Sequence, residues 1–329
     1  MMIISSFRKK MYEFYNDKPL ILEGANGSLG LSFAEILFEE KIIPSLILLT
    51  TYSSDINPIW HKVCSNIFHI KNVNDLDFQK RNEIIKGFSS KSVVNVIFAS
   101  GYGQPNKFLN DPFSVIEANI LTLLKYSQYK NIGSFAYIST SEIYAGIDGD
   151  IDENSDTKSK PQNSRGIYIE SKRLAEAIVA NILSNKINRT ASFRVALAFP
   201  PRCIEGDTRV LADLISSGKK GVVTLNGGAE YIRQYQFGPN AAIKILSAMA
   251  NGKSTLYNNS GSHIITLGNL AKLISKILDV ELDIKSNLID ASAPVSVIIN
   301  HDLINSESGY LKENEKSLEE YLMKAIESE

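Results

Sequence analysis

Residues 19–38 constrain the fold more than any other stretch of this chain. The apolar run Pro19-Leu20-Ile21-Leu22 reads as a buried strand, and Leu31, Phe33, Ala34, Leu37 and Phe38 then recur at helical spacing. Between them lies Gly24-Ala25-Asn26-Gly27-Ser28-Leu29-Gly30. Glycines at a strand-to-helix turn let the backbone approach a pyrophosphate, which sits on the N–H groups of the helix N-terminus. A glycine triplet alone marks no more than a tight turn. The strand before it and the helix after it make Gly24, Asn26, Gly27, Ser28, Leu29 and Gly30 a candidate dinucleotide site.

The alternation continues along the chain. Apolar runs at 46–49, 67–70, 93–99, 135–139 and 192–198 read as further strands, with helical patterns between them, notably at 113–129 and 166–183. Such alternation implies a parallel sheet covered on both faces. The polar stretch 146–164, with Asp148, Asp150, Asp152, Glu153 and Asp156, reads as a loop of solvated charges near the mouth of a site. After Pro200-Pro201 the rhythm becomes shorter and mixed. The expected fold is therefore α/β: an N-terminal extension at 1–18, a Rossmann-type doubly wound parallel sheet at 19–199, and a smaller mixed α/β lobe at 200–329. Chain exchange between the lobes is allowed for.

Two segments carry chemistry. Tyr168-Ile169-Glu170-Ser171-Lys172 sets a phenol and an ammonium one helical turn apart, on one face. A phenol titrates near ~10, and a neighbouring cation lowers that value, which suits it to acid–base work. The spacing alone also arises by chance on exposed helices. The second segment, Tyr137-Ile138-Ser139-Thr140-Ser141-Glu142-Ile143-Tyr144, is a strand ending in hydroxyls and a carboxylate. Ligands of open α/β sheets bind beyond the carboxyl ends of the strands, where Thr140, Ser141 and Glu142 fall. A capped strand end with a solvated glutamate is the plainer alternative.

These three segments, in this order, resemble the extended short-chain dehydrogenase/reductase family of nucleotide-sugar epimerases, dehydratases and decarboxylases. Within it the chain looks most like UDP-glucuronate decarboxylases. Their Ser-Thr-Ser-Glu-Val-Tyr segment is matched by residues 139–144, and their Tyr-x-Glu-Gly-Lys-Arg followed by Ala-Glu by Tyr168, Glu170, Lys172, Arg173, Ala175 and Glu176. Arg209-Val210 resembles their Gly-Arg-Val-Val helix start, and Arg233-Gln234-Tyr235-Gln236-Phe237 their Arg-Ala-Phe-Gln-Tyr strand. The resemblance runs over nearly the whole chain, from Pro19 to about Tyr321.

The resemblance implies an NAD cofactor, NADP not being excluded, held by the glycine turn, by Thr50 and Ala99 at the ends of their strands, and by Tyr168 and Lys172. It implies that Tyr168 takes a proton from a sugar hydroxyl while hydride passes to the nicotinamide. Lys172 lowers the tyrosine pKa and holds the nicotinamide ribose; Thr140 orients the sugar oxygen. Glu142 is then a second acid/base or positioning group, with Ser141 beside it. Ser141-Glu142 is the decarboxylase pairing, where dehydratases carry Asp-Glu. Arg209 and Arg233 would clamp the diphosphate of a UDP-linked sugar, since a guanidinium offers paired donors to phosphate. Asn119 and Arg194 match structural positions. Dimerisation through 113–129 and 166–183 would present Leu123, Leu124, Ile178 and Ile182, which otherwise read simply as core.

The chain departs from the family at four places. Leu48-Leu49-Thr50-Thr51 lacks the carboxylate expected at the end of the second strand. Glu23 replaces a threonine, Leu197 an asparagine that contacts substrate, and Pro200 a glycine. A cofactor-binding member without turnover therefore stays open beside an epimerase, a dehydratase or a decarboxylase.

Composition narrows the partners. A net charge of −1 offers no electrostatic footprint for nucleic acid or anionic membrane, so an anionic substrate must be met by a few placed arginines. Two cysteines and four scattered histidines provide neither a disulfide framework nor metal-ligand spacing. The first fifteen residues carry Arg8, Lys9 and Lys10 with no apolar stretch behind them, and read as a short helix on a cytoplasmic protein.

Overall fold

The computed structural model describes residues 2–52, 54–71, 75–101, 103–147, 149–204, 206–285, 296, 298–310, 313 and 315–327. Seven strands build the main sheet: β1 (Leu20–Glu23), β2 (Ile47–Thr51), β3 (Ile67–Lys71), β4 (Val94–Phe98), β5 (Ile132–Thr140), β6 (Arg189–Val195) and β7 (Leu256–Asn259). Every neighbouring pair is parallel, in the order β3-β2-β1-β4-β5-β6-β7. The order reverses between β1 and β4, so a crevice opens beyond their carboxyl ends.

Side chains alternate across the sheet because a strand has a two-residue period. Leu20 and Leu22 pack on one face against Phe33, Leu37 and Ala242; Ile21 faces the other way, among Val96, Phe98, Phe135 and Tyr137. Both faces are covered, which explains the unbroken apolar runs. The first face carries the helices Met2–Tyr15, Ser28–Glu39 and Gly238–Asn251. The second carries the segments around Ile120, Leu123 and Tyr126 and around Ala175, Ile178 and Leu183. Each of these segments contains one π-helical turn, Glu117–Leu121 and Val179–Leu183; such turns gather near functional sites.

The smaller lobe has its own core of Leu214, Val223, Leu225, Leu270, Ile274 and Leu322. The chain does not stay in it: Gly238–Asn251 and β7 return to the main sheet and its helical layer. Two expectations are corrected. Leu123 and Ile178 are core residues and Leu124 packs against that core, leaving only Ile182 of the four exposed. The polar stretch 146–164 is not wholly solvated. Asp150–Ile151 pairs in parallel with Ile298–Ile299, and Glu153 accepts the Asn258 N–H at 2.7 Å. Arg194 is structural: it pairs with Glu176 at 2.8 Å and donates to the Tyr144 hydroxyl at 2.6 Å. Among the described residues no helix is long and apolar enough to cross a membrane.

Gly30 tests this packing. A Cβ there would sit 2.3 Å from the Gly24 carbonyl oxygen and 2.5 Å from that of Ala25, so backbone must move. Gly30→Ala should cost about 1–3 kcal/mol, the usual range for overpacking. Gly87→Ala, on a helix where a Cβ meets nothing within 4 Å, should instead stabilise by about 0.5–1 kcal/mol. Thermal unfolding of both variants checks the pair; equal melting temperatures would contradict the packing described.

Candidate functional site

The glycine turn is built as the sequence implies. Gly24 has a φ of +81°, and a Cβ on it would lie 2.8 Å from the Ala99 carbonyl oxygen at the end of β4. The amides of Gly24 and Ala25 both donate to the Thr50 carbonyl, at 3.1 and 2.9 Å, which ties the turn to β2. Gly27 caps the Ser28–Glu39 helix, whose first turn carries no acidic residue. First-turn amides have no partner within a helix, and they form its positive end. A phosphate fits here on charge and on space. Asn26 instead holds the loop after β2. Its side-chain nitrogen donates to the Ser54 hydroxyl and the Asp55 carbonyl, and its side-chain oxygen accepts the Asn57 N–H. The buried tryptophan Trp60 donates to the Ala25 carbonyl at 3.2 Å.

The turn forms one side of a cleft of about 1070 Å³ that reaches both lobes. Thr50, Ala99, Thr140, Ser141, Glu142, Tyr168, Lys172, Arg209 and Arg233 all line it. The side chains singled out from the sequence for catalysis and for substrate binding therefore meet in one space.

Thr140 ends β5, and its hydroxyl accepts the Glu142 N–H at 3.2 Å, so its proton is free to turn toward Tyr168. That hydrogen bond favours the phenolate. Burial, and then the Glu142 charge, push the phenol well above its usual value; Thr140, Arg165 and Arg209 act against them. The Lys172 Nζ donates to the Ile138 carbonyl at 2.9 Å and lies 5.0 Å from the Tyr137 ring centroid. Burial draws the lysine itself down to about 7.

Arg165 and Phe108 escaped sequence reading. Arg165 pairs with Glu142 Oε1 at 2.8 Å, while Glu142 Oε2 is buried without a hydrogen-bond partner among the described residues. The Phe108 ring stacks on Tyr168 with centroids 4.6 Å apart and planes 6° apart, and the Arg165 guanidinium lies 5.9 Å from the Phe108 centroid. A carboxylate at the end of β5 facing an arginine just before the tyrosine helix was the available signal for Arg165; Phe108 gave none.

Asn119, in the first π-helical turn, donates to Ser171, which donates to the Tyr168 carbonyl. This links the two helical segments beneath the site, as expected of a structural residue. Arg209 is partly committed: Asp207 takes its Nε and Nη2, and the Ala198 carbonyl takes Nη1 at 3.2 Å. Arg233 lies over the Tyr231 ring at 5.1 Å and is lowered first by burial; Arg165 also lowers it. Three guanidiniums thus share one wall. Leu197 is 40% exposed, on the cleft, where the family pattern has an asparagine.

Comparison with known proteins agrees with this architecture. The model of a family described as NAD dependent epimerase/dehydratase matches residues 20–259. UDP-glucuronic acid decarboxylase 1 of Xenopus tropicalis is 26% identical over 172 residues, which make up 50% of this chain but only 38% of that relative's length. UDP-glucose 4-epimerase of Thermotoga maritima, solved with UDP-glucose, superposes with a TM-score of 0.75 at 18% identity, over 94% of this chain and 97% of that one. The dTDP-glucose 4,6-dehydratase of Streptomyces venezuelae, solved with NAD bound, gives 0.76 at 15% identity, over 94% and 95%. Likeness at such low identity shows the fold, whereas the family pattern spans most of the sequence. With that pattern running from the first strand of the main sheet to the last, the chain belongs to the NAD dependent epimerase/dehydratase family.

Proposed function

We propose that the protein oxidises a hydroxyl of a UDP-linked sugar and uses the transient ketone to drive a second step, decarboxylation of a uronate. Epimerisation or dehydration at the same site is the alternative. The observation that carries this reading is the convergence of Thr140, Tyr168 and Glu142 on one wall of a cleft that also holds the Gly24–Gly30 turn.

Bound along that turn, NAD supplies the acceptor for the hydride that leaves the sugar carbon. The chain does the rest. Thr140 orients the sugar oxygen and Tyr168 takes its proton. Arg165 and Arg209 supply the positive charge that phenolate formation needs against burial. Phe108 holds the phenol ring in plane. The amine of Lys172, titrating near neutrality beside the Gly101 backbone, is placed to meet a ribose hydroxyl. A ketone next to a carboxylate-bearing carbon makes that carboxylate labile, because the electron pair flows into the carbonyl. Glu142, held by Arg165 through one oxygen, is the group placed to move a proton to the resulting carbanion. Arg233 carries more of the diphosphate than Arg209, whose outer edge Asp207 occupies.

Incubation with UDP-, GDP-, CDP- and dTDP-sugars, with products read by mass spectrometry, tests this. Loss of carbon dioxide from UDP-glucuronate is the expected result. Loss of water or an isomer of unchanged mass moves the assignment to the alternatives, and no turnover of any sugar with cofactor bound favours the non-catalytic reading.

The helical segments that carry Asn119 and Tyr168 expose Phe113, Ile116, Leu121, Leu174 and Ile182. We propose that a second copy covers this face to form a homodimer. Sedimentation velocity at micromolar concentration should give a dimer, and Phe113→Glu, at a residue 84% exposed, should give a monomer; a monomeric wild type contradicts the proposal.

A further inference from the structure

The family pattern places a carboxylate at the end of β2 to hold the adenine ribose, and this chain has Thr50 and Thr51 there. Glu23, Glu117, Glu142 and Asp207 are the acidic residues that line the cleft among the described residues. Glu142 is paired with Arg165 and Asp207 with Arg209. Glu23 stands at the end of β1, beside the glycine turn, and is bonded directly to the end of β2.

Its carboxylate is 2% exposed. Oε2 accepts from the Thr50 hydroxyl at 2.5 Å, and Oε1 accepts from the Tyr126 hydroxyl at 2.5 Å. Thr50 Oγ1 in turn accepts from the Gly24 N–H at 3.3 Å. A threonine hydroxyl has one proton and two lone pairs. With the proton directed at Glu23 and one lone pair at Gly24, Thr50 faces the cleft as an acceptor, backed by a negative charge. A purely apolar β1 would leave that rotor free.

We infer that Glu23 and Thr50 together do at the switch point what one carboxylate does elsewhere: they accept a hydrogen bond from a free ribose hydroxyl and disfavour a ribose phosphate, so that the site selects NAD over NADP. The inference rests on the dinucleotide reading of the Gly24–Gly30 turn. The departures at Glu23 and Thr50, each odd when taken singly, then form one device.

Binding of NAD and of NADP to the full-length protein, measured separately by titration calorimetry, tests this without turnover. Quenching of Trp60, the sole tryptophan and bonded to the turn, gives a second readout. Wild type should bind NAD about ten-fold or more tighter than NADP, as expected when a like charge opposes the extra phosphate. Glu23→Gln keeps the shape and removes the charge; it should narrow that preference about ten-fold, chiefly through tighter NADP binding. Thr50→Val should weaken NAD and change NADP little. Should Glu23→Gln not fold, the Thr50→Val ratio decides alone. Equal affinities in wild type, or the wild-type ratio kept in the folded variants, overturns the inference while the dinucleotide site stands. Failure of both nucleotides to bind wild type overturns the site and the inference together.

Discussion

Everything at the cleft depends on how closely the Ser28–Glu39 helix approaches the strand that feeds it. The absence of a side chain at Gly30 lets the first helical turn lie on the carbonyls of Gly24 and Ala25, and this aims its amides at the crevice between β1 and β4. The same helix is gripped from the other side. Gly238 packs where a Cβ would strike Ser32 and the Phe199 carbonyl, and Ser28 reaches the Ala198 carbonyl at 3.4 Å. Arg233 lies on the strand Ile232–Phe237, which runs directly into Gly238. One tight contact thus links the turn to the strand that carries this arginine.

Around Tyr168 the controlling quantity is charge balance in a buried space. Desolvation and Glu142 hold the phenol protonated, while Arg165, Arg209 and the Thr140 hydroxyl favour its ionised form. Arg165 also neutralises Glu142 directly, so one residue acts on the tyrosine twice. The charges that favour the ionised phenol come from the second lobe and from the start of its own helix, and the hydrogen bond that favours it comes from the end of β5.

The sheet and its switch point were legible because they follow from short-range rules: strand period, helical period and glycine at a close approach. The convergence of Thr140, Glu142, Tyr168 and Lys172 was legible because strand ends and helix starts meet at one edge. What the sequence hid were properties of three-dimensional neighbours. Leu123 and Ile178 look like interface residues on a helical wheel but point into the second core. Asp207 pairs Arg209 two residues away, a contact no spacing rule requires. Glu23 reads as a stray charge in the sequence, whereas in the fold Thr50 and Tyr126 close around it. The stack of Phe108 on Tyr168 joins segments about sixty residues apart and left no mark on either.

The central claim is that Tyr168 is the base for oxidation of a sugar hydroxyl. Stopped-flow absorbance of the reduced nicotinamide, on mixing the NAD-loaded protein with UDP-glucuronate across a pH series, tests it most directly. The rate should rise with pH as the phenol ionises, and in Arg165→Met the rise should move to higher pH, because a charge favouring the phenolate is gone. In Tyr168→Phe the rate should fall by roughly 10²–10⁴-fold, the usual worth of a general base. A Tyr168→Phe variant that reduces the nicotinamide within a few-fold of the wild-type rate, with the same pH dependence, would contradict the account.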